Sequence, residues 1–574
     1  MMMKKMWWER FPGRLEYELQ ALRESGIPYQ LDEKAKASGS IVLELQPVLD
    51  NSPMRLVTTF PDFYPYFRFE VSAPDLDLRH HQNPFGKNLC LIGRNTAHWK
   101  TSDTLAAYIT ERLPQLLQVV TAKDPTTAEA LEEHQGEPIS TYYPCKPGTI
   151  LLVDSSWSIP IDVPKGRLAL GLSGQHTAHV IRGAILKVSA PDGKVLATAD
   201  PSINQLYSKQ IGARWFRIRK PANEPDPQRF LDEHEKQHPS ISKFEHNKLG
   251  DWDVDLFGFV FSDELGYREH GDAWIFVVRA VKTKGNRTEC VKYFVRPGQA
   301  GRSDLSARIP ELAIMPQRRI AIIGLGGIGA PAALELAKGG IGELRILDGD
   351  IVEPGPSVRW PLGFAYAGYP KAMAIQEFVG THYPYTNVVP YPHMIGSAFP
   401  LSSQHRDHEI LDKLLDGVDL VYDATAEFGV QYLLSDLAAE KKIPYICAST
   451  TPGAWGGLLV RIRPGKTEGC WSCLQGQLDK SIPSPLQNMS GMVQPKGCAD
   501  PTFTGTGCDV AHIALAGSRL AISTICSGEN GAYPDVSWDI AVCALRDADG
   551  QVIVPRWKTF PLLRSTECQR CAQI

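Results

Sequence analysis

The 574-residue sequence predicts a multidomain protein that combines α+β and α/β parts, because its pattern changes twice along the chain. Residues 1–130 mix amphipathic helical segments with short strand-like runs, which is typical of an α+β domain. Strand-like runs dominate residues 140–304 and predict a β-rich linker domain. Across residues 305–574 strands and helices alternate, which predicts a doubly wound parallel sheet.

The composition narrows the class of protein. A chain of 574 residues is too long to fold around a single hydrophobic core. Its 43% hydrophobic and 22% charged residues are ordinary for a soluble protein. The net charge of -4 predicts no general affinity for nucleic acid or anionic membranes. The most apolar uncharged run, residues 320–334, is shorter than the roughly 18–20 residues that a membrane span needs. We therefore expect a soluble, cytoplasmic protein.

In the N-terminal domain, two predicted helices flank short strands. The apolar spacing of residues 10–26 and of residues 105–120 suits helices, although Pro114 disturbs the second. Residues 41–49 and 56–60 read as strands between them. The domain that follows has strand-like runs around a polar insert at residues 221–248, which looks solvated, and it carries no recognisable catalytic constellation.

The C-terminal domain begins with a strand, a glycine loop and a helix in succession. The loop contains Gly324, Gly326, Gly327 and Gly329. Glycines let the backbone approach a phosphate, and the helix N-terminus favours its charge. Asp348 ends the next strand, where a carboxylate can accept hydrogen bonds from a ribose. This Rossmann-like motif alone fits a nicotinamide-dependent oxidoreductase as well as it fits other nucleotide-binding enzymes.

Two CxxC pairs, Cys470/Cys473 and Cys568/Cys571, form a second pattern. Four thiolates satisfy a closed tetrahedral Zn2+, with two ligands from each tight turn. We expect one structural zinc site that joins distant parts of the chain. Two coincidental turns or a redox pair are the alternatives.

The segment ELRILDGDIVEPGPSVRW, followed by AGYPKAMAIQ, resembles the ThiF/HesA/MoeB and ubiquitin-activating adenylation family. The resemblance implies an ATP site in which Asp348 holds the ribose and Asp350 lies at the nucleotide edge. It further implies that Arg359 and Lys371 bind the phosphates, where fixed cations stabilise the charge of the departing pyrophosphate. Trp360 stands where the family has glutamine, and Pro356 where it has asparagine.

The family's magnesium motif, D-x-T-D, reads Asp423-Ala424-Thr425-Ala426-Glu427 in this chain. The resemblance implies that Asp423 binds Mg2+, but the second acid is missing from its place. Glu427 is an alternative ligand. A decayed nucleotide site in a non-catalytic scaffold is the other reading of these departures.

Cys498 and Cys508 lie in a segment that resembles the crossover loop of the same family, QPKGCADPTFTGTGCDVAH. The resemblance implies that the Cys498 thiolate attacks an acyl-adenylate and releases AMP. Cys508 is the rival, although it occupies a place where the family has an apolar residue.

The N-terminal segments FPDFYPYFRFEV and HQNPFGKNLCLIGRNTAHW resemble the signature of ubiquitin-conjugating enzymes. The resemblance implies that Cys90 carries a thioester and that Asn83 donates a hydrogen bond to the oxyanion during aminolysis. Gln82 replaces the family proline. A plain buried cysteine is the alternative for Cys90.

This order of domains resembles the activating/conjugating fusion enzyme of type II CBASS antiphage operons. The resemblance implies ATP-dependent activation of a protein C-terminal carboxylate, capture on Cys498, transfer to Cys90 and ligation to a target amine. The chain contains no recognisable ubiquitin-like segment, so the acyl donor would be supplied in trans. The resemblance implies that this donor is the C-terminus of a cyclic GMP-AMP synthase-like nucleotidyltransferase, in antiviral defence. The family usually dimerises, which implies a homodimer. A sulfur-carrier adenylyltransferase of thiamine or molybdopterin type would account only for residues 305–574.

Overall fold

The computed structural model describes most of the chain in two compact units. One unit comprises Met1–Ala199 and Tyr207–Ala300, and the other comprises Asp200–Leu206 and Gly301–Ile574. The described residues are 6–49, 52–78, 80–91, 99–121, 137–174, 176–207, 209–266, 269–396, 406–488, 490, 492–493 and 502–571.

The first unit begins with a four-stranded antiparallel sheet. Its strand order is Tyr29–Leu31, Val42–Leu45, Leu56–Thr59 and Glu70–Ser72. The accompanying helices are Trp7–Arg10, Arg14–Glu24, Glu33–Ala37 and Leu105–Thr121, and Val48–Leu49 pairs with Ser52–Pro53. Alternate strand residues such as Leu43 and Leu45 are fully buried against the helices. The predicted helix over residues 105–120 is present, and Pro114 lies inside it without ending it.

A second, larger sheet of the same unit has ten strands. Its main order is Arg287–Val295, Glu269–Lys284, Trp252–Gly266, Lys209–Arg217, Lys165–Leu172, Arg182–Ser189, Ile150–Val153 and Pro297–Gln299, with Val195–Thr198 and Asn247–Leu249 added to it. The strand Trp252–Gly266 places Leu256 in one core cluster and Phe257 in another. Because neighbouring strand residues point to opposite faces, this sheet is covered on both sides.

The segment expected to be a solvated insert is partly folded onto this sheet. Residues Pro227–Glu235 form a helix whose N-terminus is capped by the Asp226 carboxylate. Phe230, Leu231 and Ile241 from this segment are buried with the aromatic side chains of the sheet. The few apolar residues of a mostly polar segment thus determine its packing.

The second unit contains an eight-stranded sheet with helices on both faces. The strand order is Asn387–Tyr391, Glu343–Leu347, Arg319–Ile323, Leu420–Asp423, Tyr445–Thr450, Gly456–Ile462, Ile540–Arg546 and Val552–Phe560. The first five strands are parallel and the last three are antiparallel. The sequence therefore predicted the doubly wound part correctly, and the structure adds an antiparallel extension.

The helices of this unit divide into two layers around separate core clusters. Gly329–Lys338, Lys371–His382 and Gly507–Cys526 cover one face, and Asp407–Leu415, Phe428–Glu440 and Trp471–Gln477 cover the other. The remaining short elements are the helices Pro201–Asn204 and Arg302–Ser306 and the two-stranded ribbon of Met492–Val493 with Thr502–Phe503. Short 3-10 turns are Ile139–Tyr142, Pro239–Ile241, Pro310–Leu312, Met315–Gln317, Pro356–Arg359, Phe364–Tyr366 and Pro452–Ala454. Within the described ranges, no helix is long and apolar enough to cross a membrane.

Candidate active sites

The glycine loop lies where the strand Arg319–Ile323 ends and the helix Gly329–Lys338 begins. Gly324 has a φ of +85°, and a Cβ on Gly329 would stand 1.8 Å from the Gly324 carbonyl oxygen. Neither position accepts a side chain without a shift of the backbone. Gly326, by contrast, has open space where a Cβ would stand. The sequence thus builds a tight loop with one open position at the start of a helix, where backbone N–H groups can receive a phosphate.

Asp348 connects this loop to the end of the neighbouring strand. One carboxylate oxygen accepts a hydrogen bond of 2.6 Å from the Leu325 N–H, and the other accepts one of 2.8 Å from the Asp350 N–H. Burial raises the pKa of Asp348, and the nearby Lys371 charge and these two N–H donors oppose that effect. Asp348 therefore orients both the glycine loop and the turn that carries Asp350.

Lys371 lies at the same place. Its Nζ is 2.8 Å from Asp350 Oδ2 and 3.9 Å from Asp348 Oδ1. The residue begins the helix Lys371–His382, so its side chain projects from a fixed helix start. One end of the parallel strands thus carries the glycine loop, two carboxylates and one ammonium group. Ligands bind at this end in open α/β sheets.

Arg359 also lies close to the loop, on the 3-10 turn Pro356–Arg359. A Cβ on Gly327 would approach its carbonyl oxygen to 3.5 Å, and a Cβ on Gly507 would approach its Cα to 3.4 Å. Burial lowers the pKa of Arg359. The half-buried Arg359 therefore lies between the glycine loop and the first turn of the helix Gly507–Cys526.

Trp360 stands where the family has glutamine, and in the structure it holds the glycine loop in place. Its indole Nε1–H donates a hydrogen bond of 2.9 Å to the Leu325 carbonyl, and the side chain is 7% exposed. Buried tryptophan N–H groups usually find such a partner. The signal in the sequence was the position of this residue directly after Arg359.

The two acids considered for magnesium have different surroundings. Asp423 is fully buried and accepts hydrogen bonds from the Thr425 N–H, the Thr425 hydroxyl and the Tyr445 hydroxyl. Burial raises the pKa of Asp423, against these three donors. Glu427 is exposed and caps the helix Phe428–Glu440 through the Gly429 N–H. Asp423, the enclosed carboxylate, shapes the turn against which Gly324 packs. Glu427, the exposed one, faces solvent.

The four cysteines of the two CxxC pairs come together. Their sulfur atoms lie within 4.8 Å of one another, with 3.6 Å between Cys470 and Cys568 and 3.5 Å between Cys473 and Cys571. Zinc–sulfur bonds of about 2.3 Å in a tetrahedron place sulfur atoms about 3.8 Å apart. The Ser565 N–H also donates to the Cys473 sulfur, the kind of outer contact that supports metal thiolates. The cluster fits a tetrahedral Zn2+.

Cys90 and Asn83 share one tight turn of the first unit. The Cys90 N–H donates to the His81 carbonyl at 2.8 Å, and the Asn83 N–H donates to the Asn88 carbonyl at 2.8 Å. The Asn83 side-chain oxygen accepts from the Phe85 and Gly86 N–H groups, so its amide NH2 is the group left to donate elsewhere. Cys90 is exposed rather than buried in the core.

The remaining candidates are Cys498 and Cys508, from the segment that resembles the crossover loop. Cys498 lies outside the described residues. Cys508 is exposed in the first turn of the helix Gly507–Cys526, which Thr506 caps. Through Gly507 this turn contacts the segment that carries Arg359.

The fold and this site define a ThiF-type adenylation domain, and residues 311–529 match the ThiF family. The uncharacterized protein y4oA of Sinorhizobium fredii is 30% identical over 594 residues, which covers 98% of this chain and 97% of the relative. A second protein of that organism, y4qC, is 31% identical over 581 residues, with 96% and 95% covered. The chain therefore belongs to the family of y4oA and y4qC, with a ThiF domain in its C-terminal unit.

A shorter part of the chain is similar to a protein with a named activity. The adenylyltransferase and sulfurtransferase UBA4 of Yarrowia lipolytica is 30% identical over 229 residues, which is 37% of this chain and 54% of that protein. The ThiF fold indicates ATP-dependent carboxylate adenylation.

Proposed function

We propose that this protein activates the C-terminal carboxylate of another protein with ATP, captures it as a thioester and ligates it to an amine. The observation that carries the first step is the arrangement of Asp348, Lys371 and Arg359 around the glycine loop. The match to the ThiF family supports the same step.

In the adenylation step, a carboxylate oxygen of the donor protein attacks the α-phosphorus of ATP. A new P–O bond forms while the bond to the β-phosphate oxygen breaks, and pyrophosphate leaves. Lys371 and Arg359 would stabilise the negative charge that builds on the phosphates. Mg2+ would share that task. Because Asp423 is enclosed by three donors, the exposed Glu427 is the more accessible of the two candidate ligands.

In the capture step, a cysteine thiolate attacks the acyl carbon and AMP leaves with the electrons of the broken C–O bond. We propose Cys498 for this role, on the resemblance of its segment to the crossover loop. Cys508 is the rival, and its exposed place beside the Arg359 segment keeps it in the comparison.

In the ligation step, the Cys90 thiolate attacks the acyl carbon of the thioester on Cys498, and Cys498 leaves as a thiolate. A target amine then attacks the new thioester and loses a proton, and Cys90 leaves as a thiolate. The Asn83 amide would donate a hydrogen bond to the oxyanion of the tetrahedral intermediate. The exposure of Cys90 and its position in one turn with Asn83 support this role. We propose that the four-cysteine cluster holds a structural Zn2+ and takes no part in these steps.

The acyl donor and the biological setting follow from resemblance. We propose a cyclic GMP-AMP synthase-like nucleotidyltransferase as donor, in antiviral defence, and a homodimer as the working form. A sulfur-carrier adenylyltransferase would leave residues 1–300 without a role, although the similarity to y4oA extends over 98% of the chain.

Intact mass spectrometry under non-reducing conditions tests this order of steps. Wild type, Cys90→Ala, Cys498→Ala and Cys508→Ala are incubated with Mg-ATP and a purified nucleotidyltransferase of this class. We expect a thiol-labile adduct that Cys90→Ala retains, Cys498→Ala loses and Cys508→Ala retains. Loss in Cys508→Ala alone would reassign the capture step. No adduct in any variant, with a donor that is shown to be adenylated, would contradict the conjugation proposal.

A further inference from the structure

We propose that Glu137 is a positioning residue for Cys90, and that the β-rich part of the first unit holds the Cys90 turn in its working geometry through this carboxylate. The proposal rests on the acyl-carrier role proposed for Cys90. It adds a task for a region to which the family resemblance assigns none.

Glu137 holds His81 at two points. Its Oε2 accepts a hydrogen bond of 2.7 Å from the His81 N–H, and its Oε1 lies 3.2 Å from His81 Nδ1. His81 has a φ of +60°, in the left-handed region that residues other than glycine rarely adopt. The carboxylate thus fixes a backbone conformation that the residue itself disfavours.

The conformation of His81 is passed on to Cys90 through one hydrogen bond. The His81 carbonyl accepts the Cys90 N–H at 2.8 Å, and the next residues, Gln82 and Leu89, form a β-bridge. Asn83 follows directly and pairs with Asn88. A rotation of the His81 backbone would therefore displace the Cys90 thiol relative to the Asn83 amide.

The segment that carries Glu137 is anchored to the ten-stranded sheet. The neighbouring Ile139 N–H donates a hydrogen bond of 2.7 Å to Asp263, on the strand Trp252–Gly266. Burial acts to raise the pKa of Glu137, but the two hydrogen bonds from His81 and the charges of His81 and His80 outweigh burial and lower that pKa. The carboxylate is thus ionised at neutral pH, and the segment that carries it is hydrogen-bonded to the sheet through Ile139.

Two further contacts join the same turn to the β-rich part of the first unit. His80 Nε2 lies 3.4 Å from Glu264 Oε2, and the rings of Phe85 and Tyr143 pack edge to face with 5.1 Å between their centres. Both contacts come from residues within five positions of His81. The turn is therefore held at several points. Among these contacts, that of Glu137 acts on His81, the residue whose carbonyl is hydrogen-bonded to the Cys90 N–H.

The test separates the geometry of the turn from the chemistry of Cys90. Glu137→Ala and Glu137→Gln are compared with Asp77→Asn, a control that removes the exposed ion pair to Lys87 in the same turn. Hydrogen exchange of the peptide that spans residues 80–91 is measured first, without any substrate. We expect about tenfold faster exchange in Glu137→Ala, a smaller effect in Glu137→Gln and none in Asp77→Asn. Unchanged exchange in Glu137→Ala would overturn the proposal whatever Cys90 does.

Single-turnover discharge of the Cys90 thioester to an amine is measured second. We expect Glu137→Ala to slow discharge about ten- to a hundredfold, with loading of Cys90 within about twofold of wild type. Glu137→Ala combined with His81→Gly should recover part of the rate, because glycine adopts positive φ without help. Equal loss in loading and discharge, or no recovery with glycine, would indicate a general folding role. If wild type carries no thioester while exchange still responds, the proposed function fails and the positioning of the turn stands.

Discussion

Asp348 Oδ2 accepts a 2.6 Å hydrogen bond from the Leu325 N–H, so one buried carboxylate fixes the glycine loop to the end of the next parallel strand. Its second oxygen holds the Asp350 N–H and lies 3.9 Å from Lys371 Nζ. The residue predicted to bind ribose thus also organises the groups around the nucleotide.

We predict that Asp348→Asn lowers ATP–pyrophosphate exchange by about a hundredfold or more, because the side chain loses its negative charge near Lys371 and one of its two acceptors for the Leu325 and Asp350 N–H groups. The asparagine NH2 cannot accept one of the two backbone N–H groups that Asp348 holds, so the thermal midpoint should also fall, and exchange is measured at a temperature at which both variants are folded. Asp549→Asn, at an exposed turn of the same unit, serves as the control. Exchange at the wild-type rate in Asp348→Asn would contradict the assignment of this nucleotide site.

Two glycines of the loop should respond differently to alanine. Gly326→Ala has open space for the new methyl group, so we expect a midpoint within about 2 °C of wild type but weaker ATP binding, by about tenfold, because the methyl enters the space proposed for phosphate. Gly329→Ala would place a Cβ 1.8 Å from the Gly324 oxygen. It should cost on the order of 1–3 kcal/mol of stability. Thermal unfolding and ATP titration of both variants measure the difference, and equal effects on stability would contradict the described loop.

For the cysteine cluster, we predict about one zinc per chain in wild type, measured by elemental analysis. Cys473→Ser should lose the metal and lower the thermal midpoint, because binding to a preformed four-thiolate site stabilises the folded state. Cys290→Ser, an exposed cysteine of the first unit, should retain both the metal and the midpoint. Wild type free of zinc after purification without chelators would refute the assignment.

Arg461 is fully buried and pairs with Asp535 at 2.6 Å. Asp535→Asn should destabilise the second unit by about 2–3 kcal/mol at pH 7, below the range for fully buried pairs because Asp535 is 32% exposed. Burial acts to raise the pKa of Asp535, but hydrogen bonds from Arg461 and Ser527 outweigh it and lower the pKa. A lowered folded-state pKa gives stability above the unfolded pKa and loses it as the pH falls through the folded value.

The difference between wild type and Asp535→Asn should therefore shrink when the pH falls below about 4. Urea unfolding at pH 7, 5 and 3.5 measures this trend. A difference that is constant over this range would exclude the charge of Asp535 as its source.

The sequence predicted most of what depends on local pattern. The glycine loop, the parallel strands around it and the helix Leu105–Thr121 follow from apolar periodicity and turn residues. The CxxC spacing predicted which four cysteines meet. The antiparallel direction of Gly456–Ile462 and the strands beyond it was not predictable, because apolar runs carry no information on strand direction.

Contacts between distant residues escaped prediction for the same reason. Glu137 and His81 are 56 residues apart, and nothing in either local sequence connects them. The enclosure of Asp423 depends on Tyr445, which comes from the neighbouring strand. The hydrogen bond from Trp360 to the Leu325 carbonyl joins residues that are 35 positions apart. Such pairs are set by tertiary packing and are visible only once the fold is known.

The cysteine cluster brings together Cys470 and Cys568, which are 98 residues apart in the sequence. Both candidate capture residues, Cys498 and Cys508, lie within the segment between them. Holding the two ends of so long a segment together reduces the number of conformations that the segment can adopt. A bound Zn2+ would therefore hold the two ends of this segment together, and oxidation or chelation of the four thiols would release them.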